Sequence, residues 1–281
     1  MKETQAVYLP IDKLKPFEGH PFKVTDNEEM DQLTESICQQ GVLNPIMVRP
    51  LDTGEYEVIS GHRRLLACKK AGIEMIPACI YAMDRNEAVV AMVDSNLHRE
   101  KLLPSEKAFA YKMKMDAMKH QGTSSPLGTK QRTDELIAAQ ANESRNQVQR
   151  YIRLTNLIPG ILKLVDEQKM ALTPAVEISY LTEDEQYDLL ETMECEDRTP
   201  SLSQAQELKR LSQDGLLDMD KTFDILRQPK GNQQDKLILL VDEIRKYFPS
   251  GYSALQMSHE IFRLLEDHRS RTIRQRDRDE R

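Results

Sequence analysis

Two short stretches carry side chains whose types and spacing could do chemistry. In the first, Ile59-Ser60-Gly61-His62-Arg63-Arg64, an apolar run rich in β-formers breaks at a glycine and continues as a helix-forming run. A helix that starts at His62 presents unpaired backbone N–H groups and the positive end of its dipole. Gly61 is expected to let a ligand approach the backbone, and Arg63 and Arg64 add forked donors matched to phosphate oxygens. With His62 they make a candidate triphosphate cradle; the plainer alternative is a surface helix with two solvated arginines.

The second stretch runs from Ser144 to Arg153. Ser144 suits a helix cap. Val148 and Ile152, with part of Tyr151, form a buried side, which leaves Arg145, Asn146, Gln149, Arg150 and Arg153 facing out. Asn and Gln can bond adenine twice, and Arg can do the same with guanine. Residues near the start of a recognition helix reach base edges first. Arg145, Asn146 and Gln149 are therefore the base-contact candidates, and Lys130, Arg150 and Arg153 the phosphate candidates. Arg132 and Ser144 complete the set. An ordinary amphipathic helix pair with a solvated polar face fits the same pattern. A third polar cluster, Asp94 to Glu100, puts Asn96 and Arg99 three apart, hence side by side if helical.

These residues need elements to hold them. Over the first ~95 residues, apolar spacing predicts a helix at 27–40 ended by Gly41, strands at 45–50 and 56–60 around the Asp52-Thr53-Gly54 turn, a helix from His62 to Gly72, and a strand at 76–81. Beyond residue 85 only helices are predicted: 86–97, 104–119 with Pro104 first, 133–141 with Thr133 as cap, 144–156, 159–168, 174–180, 182–193 and 203–213. Asn142 lies between two of these, where a left-handed turn residue is needed. The segments 121–131 and 227–234 read as a loop and a linker. A final helical hairpin is expected at 235–247 and 252–268, with apolar positions at Leu237, Leu240, Ile244, Phe248, Leu255, Met257, Ile261, Leu264 and Leu265. A hairpin cannot bury both faces alone, which points to self-association. The last dozen residues, arginine alternating with acid, are expected to be frayed.

With 281 residues, 39% hydrophobic and 30% charged, the chain fits two or three soluble domains. It has no apolar run of membrane-spanning length and no apolar signal core near residue 1, so a cytoplasmic location is expected. Cys38, Cys68, Cys79 and Cys195 show no metal-ligand spacing and read as reduced thiols. The net charge of −7 would by itself argue against nucleic acid. The distribution argues otherwise: from Lys130 to Arg153 there are five basic residues against three acidic, and six arginines lie from Arg269 onward.

Taken in order, NPIMVRP (44–50), EVISGHRRLLACKKAGIEMIPACI (57–80), DSNLHREKLLPSEKAFAY (94–111), the helix pair at 133–154 and LIPGILKLVDEQKMALTPAVEISYL (157–181) resemble the ParB family of partition proteins. The resemblance spans roughly residues 5–215. With the elements read above, it implies an α+β, predominantly helical fold, with a small α/β nucleotide-binding domain over 1–97 and an all-α helix-turn-helix domain over 98–226; the C-terminal helical segment with a basic tail over 235–281 lies beyond the resemblance and departs from the family's usual dimerisation module, which contains strands. The resemblance implies a nucleoid-associated, dimeric clamp that binds CTP with Mg²⁺ and reads an inverted repeat in double-stranded DNA. A ParA-type ATPase would be its usual partner. By position, Arg49, Gly61, His62, Arg63, Arg64, Asn96 and Arg99 would contact nucleotide, with Asn96 as the metal-ligand candidate.

Two positions depart from that pattern. The family's common GERR is GHRR here, and Ser95 precedes Asn96 where the family commonly carries Glu. Both changes remove a carboxylate that would suit Mg²⁺. The expectation is a non-enzymatic DNA-binding protein; a transcriptional regulator on the same scaffold, or a CTP hydrolase or nuclease, is the alternative. The first domain is also similar to sulfiredoxin, whose cysteine before a His-Arg pair is Gly61 here, so thiol chemistry is not expected.

Overall fold

A computed structural model describes residues 6–97, 99, 102–120, 132–228, 244–249 and 251–279. The chain divides into two compact units, 1–228 and 229–281. The fold is α+β and mostly helical, as the sequence implied.

The first unit opens with a five-stranded mixed sheet: β1 (Val7–Pro10), β2 (Leu14–Pro16), β3 (Ile46–Pro50), β4 (Tyr56–Ser60) and β5 (Met75–Ile80), in the order β1-β5-β3-β4-β2. β3 pairs antiparallel with β4 and parallel with β5, while β1 and β2 form the edges. Those two edge strands escape a sequence reading because they are short and end in Pro10 and Pro16, which are tolerated at sheet edges. α1 (Glu28–Gln40) is capped by Asn27, whose side chain accepts from the Met30 N–H, and α2 (His62–Lys70) follows β4. Met30 and Ile37 of α1 and Leu65, Ala67 and Cys68 of α2 pack on Ile46, Val48, Val58 and Ile76 of the sheet. A second core lies on Ile59, where Phe17, Phe22 and the α3 (Arg85–Leu97) residues Ala88, Val89, Met92 and Val93 meet Ala110 and Ala117 of α4 (Pro104–His120).

α5 (Thr133–Ala141) and α6 (Arg145–Arg153) follow, then a 3-10 turn at Leu154–Asn156. The first residue of α5 is Thr133, so the cap position falls on Arg132, which makes no side-chain capping bond. α7 (Pro159–Asp166), α8 (Leu172–Ile178), α9 (Glu183–Glu196), α10 (Leu202–Gln213) and α11 (Met219–Arg227) surround an aliphatic core that includes Leu154, Ile161, Ile178, Leu189, Leu208 and Ile225. α11 was not expected. Its signal is Asp218, whose side chain accepts from the Lys221 N–H, followed by buried Thr222, Ile225 and Leu226 at helical spacing.

In the second unit, a 3-10 turn at Arg245–Tyr247 precedes α12 (Ala254–Asp279). The capping pair of Ser253 and Gln256 starts this helix. α12 continues to Asp279, through the arginine-rich tail expected to fray. The expected helix at 235–247 lies outside the described residues except for its last positions, as do the expected loop at 121–131 and most of the linker at 227–234.

Candidate functional site

The β4–α2 corner is built around Gly61, which has φ 104° and ψ 22° and makes no side-chain cap for α2. A Cβ there would stand 2.6 Å from Ile46 Cγ2 and 3.4 Å from Arg64 Cζ. The glycine therefore answers to Ile46 in the core; the space was expected to admit a ligand. With glycine at the cap position, α2 starts without a side-chain cap.

The imidazole of His62 stacks on His20, with ring centroids 3.9 Å apart, and its Nε2 accepts from the Phe17 N–H at 3.4 Å. His20 Nδ1 lies 2.8 Å from the Phe22 carbonyl, while its buried Nε2 has no hydrogen-bond partner. Burial, then the charges of His20 and Arg99, push His62 down to about 3, so it is neutral near pH 7. Arg99 lies over the Phe22 ring at 5.6 Å. Burial lowers its pKa; nearby Glu106 opposes that effect and Arg63 adds to it. Glu106 is buried and accepts from the backbone N–H groups of Lys23 and Leu103. His20, Phe22 and Glu106 thus belong to this corner, and sequence reading missed all three because they lie far from residue 61 in the chain.

The expected nucleotide residues do not all converge. His62, Arg63 and Arg99 lie close enough to interact. Arg63 holds Glu29 of α1 at 3.3 Å across an exposed pair. The Arg64 guanidinium lies beside Gly61 and donates to the carbonyls of Asn44 and Pro45. It lines a cavity of about 430 Å³ with Ile46, Ser60, Cys79 and Tyr81. Asn96 is buried, its Nδ2 donating to Met92 O at 2.7 Å and to Ser95 Oγ at 3.2 Å. Arg49 stands apart, its Nε donating at 2.6 Å to buried Glu57 on the neighbouring strand. Arg85 grips the other oxygen of Glu57, also at 2.6 Å. In the register of β3 and β4, Arg49 faces Glu57, three residues along from the Ile46 end that touches Gly61.

The second site is the α5–α6 pair. Asn142 adopts the left-handed conformation (φ 53°, ψ 39°) between the helices, and Ser144 caps α6 by accepting from the Gln147 N–H at 3.1 Å. Ile137, Ala138 and Val148 pack with Tyr111 of α4, and Tyr151 and Ile152 are half-buried against them. Arg145, Asn146 and Gln149 are exposed on the opposite face, as expected. Arg150 and Arg153 are more confined. Arg150 Nη2 donates to Thr173 Oγ1 at 2.6 Å. Arg153 donates to Ser179 Oγ and O and lies 3.9 Å from the centre of the Tyr180 ring. Arg132 is exposed at the start of α5, and Lys130 lies outside the described residues.

Residues 1–97 match the family model described as the ParB N-terminal domain. The chain is 31% identical over 191 residues to a nucleoid occlusion protein of Listeria innocua, covering 68% of this chain and 63% of that protein. It is 29% identical over 251 residues to a probable chromosome-partitioning protein ParB of Vibrio cholerae, covering 87% of this chain and 85% of that one. Among solved structures it is similar to a C-terminally truncated chromosome-partitioning protein ParB of Caulobacter crescentus complexed to the centromeric parS site. That match has a TM-score of 0.45 at 24% identity and covers 73% of this chain and 98% of the other.

Proposed function

This chain belongs to the ParB family of partition proteins, and on that premise we propose that it is a sequence-specific DNA-binding partition protein. It acts as a dimeric clamp gated by CTP, in the segregation or maintenance of a plasmid, integrative element or chromosome. The observation that carries this reading is the α6 face. A left-handed Asn142 and a Ser144 cap fix the entry to α6, and Arg145, Asn146 and Gln149 are exposed near its start. That is where a recognition helix meets base edges in the major groove. Arg132, Lys130, Arg150 and Arg153 would hold phosphates, and Ser144 would sit at the groove edge.

The α2 corner fits an anion. Its helix start has no side-chain cap, its nearest histidine is neutral, and Arg63 and Arg99 flank it. CTP supplies a triphosphate whose charge these groups can neutralise. The α2 amides and Arg63 would bind it, Arg99 would close from the α3 side, and Arg64 would hold the β3 entrance in shape through Asn44 and Pro45. No group of three or more His, Cys, Asp or Glu able to hold a metal occurs among the described residues, so Mg²⁺ would be held mainly by the nucleotide's phosphates and water. Asn96 is the one metal-ligand proposal. His62 and Ser95 stand where the family pattern carries carboxylates, so CTP would act here by being bound.

The proposed organisation keeps three parts, 1–97 for nucleotide, 98–226 for DNA and 235–281 for pairing of two chains. Exposed Phe262, Leu264 and Leu265 on α12 support that pairing role. A ParA-type ATPase is the proposed partner. No described helix is long and apolar enough to cross a membrane, and a nucleoid-associated place in the cytoplasm is proposed.

Selection from randomised duplexes by the full chain tests this function. Enrichment of an inverted repeat is the expected outcome, and a pool that stays random would reject it. Calorimetry with CTP tests the corner: Arg63→Ala should lose binding that the parent has, and equal affinity in both would remove the cradle.

A further inference from the structure

We infer that Asp134 is a positioning residue for sequence readout, its buried carboxylate holding Arg145 and Gln149 as one fixed array on the outer face of α6. The inference rests on the DNA-reading role proposed for that face. Asp134 lies in the first turn of α5, yet it is only 4% exposed and makes no cap there. Its side chain reaches across to α6. Oδ2 accepts from Arg145 Nε at 2.7 Å and from Gln149 Nε2 at 3.1 Å. Oδ1 has no hydrogen bond and lies 3.5 Å from Arg132 Nε. One buried carboxylate thus gathers three of the proposed DNA-contacting side chains.

The atoms used and the atoms left over give the arrangement its meaning. Arg145 spends Nε on Asp134, which leaves its two terminal nitrogens as a pair, the fork that fits O6 and N7 of guanine. Gln149 must turn its NH₂ toward the carboxylate, because its carbonyl oxygen would be repelled there. Oε1 and the second N–H are then left for a base, the pair of groups that suits adenine. Arg145 and Gln149 are four residues apart on one helix face, so both present their free groups to adjacent positions of a groove. Long side chains lose rotamer freedom when they bind, and here Asp134 has already taken much of it. Because the ion pair uses Nε and leaves the terminal pair open, the carboxylate orients the arginine without competing with a base for it.

The test uses the full chain, the duplex it enriches from a randomised library and a scrambled duplex of the same length. Asp134→Asn keeps the size of the side chain and removes its charge. Preference for the enriched duplex should fall about tenfold, while affinity for the scrambled duplex is unchanged. In an Arg145→Ala, Gln149→Ala background the same substitution should leave the preference unaltered. Should Asp134→Asn fail to fold, the two readers can be tested without it. Arg145→Ala and Gln149→Ala should then be non-additive, the double variant losing less preference than the product of the single losses. Independent, multiplying losses overturn the inference, and so does a gain of preference in Asp134→Asn, which would mean that the carboxylate competes with DNA. If Asp134→Asn leaves the preference intact where Arg145→Ala lowers it, the inference fails alone. If Arg145→Ala also has no effect, the DNA-reading role of the α6 face falls with it.

Discussion

The rings of His62 and His20 stack at 3.9 Å, planes 46° apart, at the start of α2. Burial lowers the pKa of both, and His62 falls to about 3. Unfolded, each would titrate near 6.5. Below that pH the unfolded chain binds protons that the fold refuses, so stability is whole above about pH 7 and declines as the pH falls from 6.5 toward 3. Asp134, held below its usual value because the Arg145 and Gln149 bonds outweigh its burial, loses its contribution only at lower pH. The window from pH 6.5 to about 4.5 therefore isolates the histidines. The urea midpoint should be lower at pH 5 than at pH 7.5, and His62→Gln should shrink that difference. An equal pH dependence in parent and variant would remove the assignment.

Gly61 and Gly54 make a matched pair. Both have positive φ, but only Gly61 would place a Cβ against a neighbour, Ile46, whereas Gly54 has nothing within 4 Å. Gly54→Ala should cost about 1 kcal/mol for the left-handed backbone alone. Gly61→Ala adds overpacking and should cost about 2–4 kcal/mol. Thermal or urea unfolding of the two variants checks the order, and equal costs would contradict it.

The sequence made the β4–α2 corner and the α5–α6 turn legible, because Gly61, Asn142 and Ser144 each have a local conformational reason to be where they are. It did not show what lies across from them. His20 meets His62 only after the chain has folded back over 42 residues of sequence separation, and nothing in the sequence around Asp134 shows that its carboxylate reaches across to Arg145 and Gln149. β1 and β2 were invisible because three or four residues ending in proline carry no alternation to read. The resemblance puts Arg49 among the nucleotide-contacting positions; what it does not reveal is that the antiparallel register of β3 and β4 sets Arg49 beside Glu57.

That ion pair is open to direct measurement. Arg49→Ala strands a buried carboxylate and should lower stability by about 2–4 kcal/mol, softened because Arg85 still holds Glu57. Arg63→Ala breaks an exposed pair with Glu29 and should cost less than about 1 kcal/mol. Chemical denaturation reads both, and the reverse order would overturn the placement of these two arginines.

Lys114 of α4 is fully buried, paired with Asp94 of α3 and bonded to Gln140 of α5. It ties the helix that carries Asn96 to the helix that carries Asp134. Lys114→Met keeps the apolar stem and removes the charge. It should cost about 1.5–3 kcal/mol and speed amide exchange at the C-terminal turns of α3 and α5. Unchanged exchange at those two helix ends would mean that the lysine does not couple them.

The most direct measurement is equilibrium binding of the full chain, at one fixed salt concentration, to the duplex it enriches and to a scrambled duplex. A reading face made of Arg145, Asn146 and Gln149 should favour the enriched duplex by at least about 10³-fold. Equal affinity for the two duplexes would contradict it.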